Sequence, residues 1–146
     1  MKTTIKNDIK NRNDIKTLVT QFYVKVRNEE SLSPIFNHMI SNWDTHIEKL
    51  IDFWETNLLF TIKYKGNPIK AHQTVDRVFD GSINQNHFGI WLNLWIETLD
   101  TLFEGKKTET AKRRARKMST HLYIKMYESR VTQKITCPFL NEKDTI

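Results

Sequence analysis

The sequence feature that most constrains the fold is a helical period of apolar side chains in four separate segments. Within each segment, apolar residues recur at steps of three and four positions, which places them on one face of an α-helix. The segments cover residues 14–28, 43–60, 84–103 and 108–127. Four glycines and three prolines are too few for the many turns of a sandwich or barrel of strands. The pattern therefore predicts an all-α protein.

Residues that favour helix ends refine this prediction. Asn13 is a suitable N-cap for the first segment, and Ser33 is one for a short helix that follows it. Ser41 or Asn42 would cap the helix of residues 43–60 in the same way. Gly105 is expected to stop the helix of residues 84–103.

The two ends of the chain are expected to differ from its middle. A short helix is predicted near residues 4–10, whereas residues 131–146 show no helical period. A length of 146 residues suits one domain. We therefore expect one domain of residues 1–130, followed by a partly disordered C-terminal tail of residues 131–146.

Composition limits the compartment in which the protein works. No apolar run approaches the roughly 18 residues of a membrane span, and the N-terminus lacks the apolar stretch of a signal peptide. A single cysteine, Cys137, fits a reducing environment. These features predict a cytoplasmic protein without a membrane partner.

The segment of residues 61–83 has no sustained period and contains Gly66, Pro68 and Gly81. A compact domain rarely keeps such a long irregular connection unless the connection has a function. Within it, Asn67 and Pro68 are a typical N-cap and first position of one or two helical turns, and these turns end at His72.

Two histidines are the strongest candidates for chemistry, because the sequence contains no phosphate-binding loop, cysteine pair or catalytic triad. His46 lies beside Leu50 and Phe53 on an inward face, and His72 lies in the irregular segment. A neutral imidazole whose second nitrogen is hydrogen-bonded is what an axial haem ligand requires. A surface or core position without a ligand stays the alternative for both. We expect a surface or core position without a ligand for the other three histidines, His38, His87 and His121.

The order of short motifs along residues 10–128 resembles the truncated haemoglobins of group III. The motifs are FYVKVR, LSPIF, HIEKLIDFW, GNPIKAH, HFGIWLNLW and RRARKM. The absence of Gly-Gly pairs is also similar to group III. The resemblance implies a shortened globin fold, in which a two-over-two helical sandwich encloses haem b.

The resemblance also implies a role for several residues. His72 matches the proximal iron ligand, and Tyr23 and Trp91 match the distal residues whose OH and NH face the bound gas. His46 matches a distal-helix histidine that acts as a gate, and Lys49 is a candidate partner of a haem propionate. The matching apolar pocket positions are Phe22, Leu50, Phe53 and Trp54.

The function that follows is the binding of O2, NO or CO, with O2 held tightly by the distal donors. Tight holding suits NO oxidation by bound O2, or peroxide chemistry, better than oxygen transport. NO oxidation requires an electron donor, and the sequence has no reductase domain. We therefore expect a separate reductase as a partner, and a protein that is monomeric.

A basic helical module that binds nucleic acid or a partner helix is the alternative. It depends on the net charge of +6 and on the basic run at residues 112–117. These side chains spread over the face opposite the apolar stripe, as in a solvated helix, and no exposed aromatics alternate with them. We therefore expect no nucleic-acid partner.

Overall fold

The computed structural model describes residues 5–144, and the side chains of residues 5–132. This part of the chain forms six helices and contains no β-strand, which confirms the all-α prediction. None of the described helices has the length and hydropathy needed to cross a bilayer. The helices are α1 (Arg12–Asn28), α2 (Ser33–Met39), α3 (Trp43–Leu59), α4 (Pro68–Val78), α5 (Gln85–Leu102) and α6 (Lys106–Asp144).

Asparagine side chains cap several of these helices. The Asn42 side-chain oxygen accepts a hydrogen bond from the Thr45 backbone N–H at 3.1 Å, and Asn67 accepts one from Lys70 at 3.1 Å. Both caps agree with the sequence pattern. The N-cap of α1 is Asn11, so the prediction of Asn13 is wrong. Both residues are asparagines with the same capping propensity, and this propensity could not decide between them.

The predicted cap of α2 is wrong. Ser33 lies inside the helix, and the N-cap residue is Leu32, which has no capping side chain. A carboxylate oxygen of Glu29 instead accepts hydrogen bonds from the backbone N–H groups of Ser31 and Leu32, at 2.7 and 2.9 Å. Glu29, the C-cap residue of α1, therefore supplies the hydrogen-bond acceptor that the N-cap residue of α2 lacks.

Three helix boundaries differ from the predicted ones. Residues 5–10 are not helical, so the short N-terminal helix is wrong for these positions. The helix predicted at residues 67–72 extends to Val78 as α4, and α6 extends to Asp144 instead of ending near Tyr127. The division between a domain of residues 1–130 and a tail stays a prediction. Residues 1–4, 145 and 146 lie outside the described part.

Four long helices form two packed layers. α1 packs on α3 in one layer, and α5 packs on α6 in the other. The layers meet where α1 contacts α5 and where α3 contacts α6. The short α2 lies against α1, and α4 lies against α6. This is the two-over-two sandwich that the sequence motifs imply.

Trp95 of α5 lies at the centre of the core and is fully buried. Its ring stacks on Trp54 of α3 at a centroid distance of 4.5 Å and meets the edge of Phe22 of α1 at 5.0 Å. Its indole N–H donates a hydrogen bond to the Ala111 carbonyl of α6 at 3.3 Å. One side chain therefore joins all four long helices.

Asp8, in the extended N-terminal segment, caps α6 from about 100 residues away. Its carboxylate accepts hydrogen bonds from the backbone N–H groups of Lys107 and Thr108, both at 2.9 Å, and from the Thr108 hydroxyl at 2.7 Å. Burial by itself would raise the pKa of Asp8, but these hydrogen bonds bring it below the usual value. Gly105 makes the approach possible, because a Cβ there would lie 2.4 Å from the Asp8 carboxyl carbon.

We expect Asp8→Ala to lower the free energy of unfolding by about 1–2 kcal/mol at pH 7, since α6 loses its cap. Asp8→Asn keeps the side-chain acceptor and removes only the charge, so it should cost less. Because the folded pKa lies below the unfolded one, the contribution of the charge is complete above about pH 4 and disappears as the pH falls through the folded value. Urea unfolding of the three proteins from pH 7 downward measures this. If the difference in the free energy of unfolding between wild type and Asp8→Asn did not change with pH, this expectation would be contradicted.

Candidate functional site

The orientation of His72 is set by the first turn of α4. Its Nδ1 lies 2.7 Å from the carbonyl oxygen of Pro68, four residues earlier. Since a carbonyl only accepts, Nδ1 carries the proton and Nε2 keeps a free lone pair. Burial lowers the pKa of His72, and the bond to Pro68 offsets part of this effect. His72 is therefore a neutral imidazole with Nε2 available to a metal.

Side chains of α4 and α6 fix α4 in place. The Gln73 side-chain amide donates to the Lys125 carbonyl at 3.2 Å. The Arg130 guanidinium donates two hydrogen bonds to the carboxylate of Asp76, both at 2.6 Å, and a third to the Ile83 carbonyl. Asp76 is only 3% exposed, so this pair is an internal clamp on the helix that carries His72.

His46 faces the interior from α3. Its Nε2 is buried and has no hydrogen-bond partner among the residues that the structure describes. Burial lowers the pKa of His46 to about 4, and the nearby cationic Lys49 and titratable His72 act in the same direction. A buried nitrogen without a partner is uncommon and indicates a place that a ligand completes.

Tyr23 of α1 and Trp91 of α5 both pack edge to face with the ring of Phe22, at centroid distances of 4.8 and 5.3 Å. Tyr23 is only 5% exposed. Burial raises the pKa of Tyr23 more than the nearby indole N–H of Trp91 lowers it, so the phenol keeps its proton at neutral pH. The ring of Tyr23 meets the edge of the His46 ring at 5.8 Å. The sandwich thus brings together three of the distal residues that the motifs imply.

The other predicted pocket residues lie at different depths. Phe22 and Trp54 are buried in the core, next to the site. Leu50 and Phe53 are partly buried and pack against that core. Lys49 is exposed on α3, close enough to His46 for its charge to act on that ring.

Sequence reasoning missed the clamp and one aromatic neighbour. Trp43 lies beside the Tyr23 ring in a tilted arrangement at a centroid distance of 5.8 Å, and it meets the His46 ring edge to face at 5.7 Å. Its position three residues before His46 is a signal for the second contact. No pattern signals that Asp76 is buried. His87 accepts a backbone hydrogen bond in the cap of α5, and so has the structural role expected of it.

Three of the five cations in the basic run at residues 112–117 are exposed as expected, whereas Lys112 and Arg114 are partly buried. The side chain of Lys112 is only 11% exposed and forms ion pairs with Asp100 and Glu109. Arg114 donates a hydrogen bond to the carbonyl of Asn57, across to α3. Two of its five cations therefore bind this protein's own residues, which weakens the nucleic-acid alternative.

No family model matches the chain. The chain is 31% identical over 122 residues to the group 3 truncated hemoglobin ctb of Campylobacter jejuni, a match that covers 81% of this chain and 92% of the relative. The chain belongs to the group III truncated haemoglobins. The structure agrees with a crystal structure of group III truncated hemoglobin from Campylobacter jejuni at a TM-score of 0.75 and 31% identity. This match covers 84% of this chain and 96% of that one.

A truncated haemoglobin is a haem globin, so the family implies a haem cofactor. The described residues fit this group. His72 offers an Nε2 lone pair from α4, and α3 presents the buried, unpartnered Nε2 of His46. His72 contributes to the lowered pKa of His46, so both imidazoles belong to one electrostatic environment.

We expect Arg130→Ala to lower the free energy of unfolding by about 3–5 kcal/mol, because it leaves Asp76 buried without its cation. Haem should also be lost faster, because α4 carries His72. The double change Asp76→Asn with Arg130→Gln removes both charges and should cost less. Arg77→Ala, at an exposed arginine of α4, is the matched control. Denaturant titration and haem transfer to apomyoglobin measure both effects, and equal results for Arg130→Ala and Arg77→Ala would contradict the clamp.

Proposed function

We propose that this truncated haemoglobin binds O2, NO and CO at haem b with His72 as the iron ligand, and that it holds O2 tightly. The observation that carries the proposal is the buried position of Tyr23 beside His46 and Trp91, which gathers an O–H and an indole N–H at one place. A phenol that accepts from an indole N–H still has its own O–H proton to donate to a ligand. His46, neutral and buried beside it, adds no charge to the pocket.

His72 supports the proximal half of this proposal. When bound, haem supplies an iron that takes a diatomic molecule as a ligand and exchanges single electrons. The bond from Nδ1 to Pro68 holds the imidazole in the tautomer that a metal requires, and fixes the direction of Nε2. The clamp between Asp76 and Arg130 limits the movement of that helix. Lys49 stays a candidate for a propionate.

Tyr23 and Trp91 support the distal half. An O–H group that already accepts a hydrogen bond becomes a stronger donor, because the bonds polarise one another. Donors fixed before the ligand arrives stabilise partial negative charge on it without reorganisation. O2 develops such charge and CO develops much less. The pair therefore favours O2 over CO.

We also propose that the retained O2 is consumed in NO oxidation or that the site carries out peroxide chemistry. A ligand that leaves slowly suits reaction better than delivery. A separate reductase would supply the electrons that NO oxidation consumes. The protein would work in the cytoplasm and as a monomer. The single cysteine, Cys137, fits the reducing compartment that this part of the proposal assumes.

Replacing the iron ligand tests the proximal half. His72→Ala should abolish stable haem binding, since Nε2 is lost, and should remove the extra stability that a bound cofactor gives the native state. His38→Ala, at an exposed histidine of α2, is the control and should retain haem. Haemin titration followed at the Soret band measures both. A normal ferrous spectrum in His72→Ala would refute the assignment.

The distal pair is tested by ligand release. Tyr23→Phe should speed O2 release by roughly 10- to 100-fold, because a hydrogen bond to a charged group is lost. Trp91→Phe removes only the bond that polarises Tyr23, so its effect should be about 2- to 10-fold. The double variant should resemble Tyr23→Phe alone, because Trp91 acts through Tyr23.

Stopped-flow O2 and CO dissociation for the four proteins measures these effects, with CO as the control ligand. CO release should change little. Equal acceleration of O2 and CO would show that the residues act by shape, and would refute the electrostatic mechanism.

A further inference from the structure

A chain of aromatic rings in contact leads from Trp91 to a loop at the protein surface. Trp91 stacks on Trp95 at a centroid distance of 6.0 Å, and Trp95 stacks on Trp54 at 4.5 Å. Phe53 meets the ring of Trp54 edge to face at 5.3 Å and that of Tyr64 at 5.1 Å. All four distances are those of aromatic pairs in contact. Tyr64, in the loop between α3 and α4, is only partly buried, so the rings connect the core to the surface.

The position of Tyr64 at the end of this chain is fixed by α3. The hydroxyl oxygen of Thr56 accepts hydrogen bonds from the backbone N–H groups of Lys63 and Tyr64, both at 3.0 Å. Gly66 leaves the space in which the phenol lies, because a Cβ there would overlap the phenol oxygen. The loop therefore holds Tyr64 against Phe53, although it has no helical structure of its own.

The side chains of this chain differ in how easily they lose an electron. Indoles and phenols give up a single electron far more readily than the ring of a phenylalanine does. The three tryptophans and Tyr64 can therefore each be oxidised in turn, whereas Phe53 serves only as a bridge. An oxidised phenol also releases its proton, and the partial exposure of Tyr64 gives that proton access to water. Tyr23, which is 5% exposed, lacks this access.

We propose that these five residues form an electron route, in which a reducing molecule at Tyr64 supplies single electrons to the haem pocket. The inference rests on the proposed function, and specifically on peroxide chemistry, which consumes electrons. Its substrate class is a one-electron donor, such as a phenol, that is too large to enter the pocket. Trp91 is the inner end of the route, and Tyr64 is the place where the donor reacts.

The electrons and protons of this reaction balance. Reduction of one hydrogen peroxide to two water molecules takes up two electrons and two protons. For each electron, Tyr64 is oxidised by the tryptophans and releases its proton to water. It then regains an electron and a proton from a phenol, which becomes a phenoxyl radical. Two donor molecules are oxidised for each peroxide, and the side chains return to their starting state.

Spin trapping tests the route. The ferric protein is mixed with hydrogen peroxide and the nitrone trap DMPO, and the trapped radicals are located by peptide mass spectrometry. We expect the wild-type adduct on Tyr64. Trp54→Phe should remove most of it, because the route is interrupted while Tyr64 itself is intact. Tyr127→Phe is the control, since Tyr127 is 56% exposed on α6 and lies outside the route, and it should leave the adduct unchanged.

A second pair of variants changes the position of Tyr64 without changing any aromatic residue. Thr56→Val removes the acceptor of the two loop hydrogen bonds, so the yield of the Tyr64 adduct should fall. Thr56→Ser keeps the hydroxyl and should restore the yield. If Trp54→Phe does not fold, this pair and Tyr64→Phe decide the question.

The donor reaction is measured with ABTS, a bulky one-electron donor, in the presence of hydrogen peroxide. Tyr64→Phe should lose most of the ABTS oxidation, because the phenol at the surface is the place where the donor reacts. Tyr127→Phe should retain it. If exposure alone determined where the donor reacts, Tyr127→Phe would have the larger effect, and the assignment of Tyr64 would be wrong.

Two further results would overturn the route. One is a peroxide reaction that gives adducts on Tyr23 or other residues and none on Tyr64. The other is a Tyr64 adduct that Trp54→Phe and Thr56→Val both leave at the wild-type yield. Either result would leave the proposed function intact, since peroxide is still consumed. A wild-type protein that takes up haem and consumes no peroxide would overturn the peroxide chemistry and the route together.

Discussion

The packing of Trp95 is the constraint on which the site depends. Its buried ring touches α1 and α3, and its indole N–H is bonded to a carbonyl of α6. Trp91 stacks parallel to it at 6.0 Å, one turn earlier on α5. The direction of the Trp91 indole, which lies near Tyr23, is therefore fixed by the packing of the core. A distal donor of this kind is preorganised because the core leaves it little freedom to move.

The two faces of the site are stabilised by different physics. On the proximal side a local backbone bond orients His72, and a buried ion pair holds its helix against α6. On the distal side, aromatic packing on the shared ring of Phe22 places Tyr23 and Trp91. The distal side therefore carries no fixed charge of its own, and burial keeps His46 neutral. Dipoles such as the O–H of Tyr23 and the N–H of Trp91 can stabilise partial charge that develops on a ligand. This stabilisation is strong where water is excluded.

Tight holding and rapid access place opposite demands on such a pocket. Donors that slow release must be rigid and dry, whereas ligand access needs a part that opens. Tyr23 is buried against the core, whereas its neighbour Trp43 is partly buried and lies under the exposed guanidinium of Arg27.

The sequence by itself determined the helices and the proximal motif, because both depend on contacts between residues three or four positions apart. The helical period gave the four long helices, and Asn67 and Pro68 gave the start of the helix that orients His72. The motif order also indicated the family. Only the tertiary structure decided that Tyr23 and Trp91 pack on the same ring of Phe22, that Asp76 is buried against Arg130, and that Asp8 caps α6. Each of these arrangements joins residues more than 50 positions apart. Whether a charged side chain is buried depends on which distant partner the fold brings to it, and no local pattern records that partner.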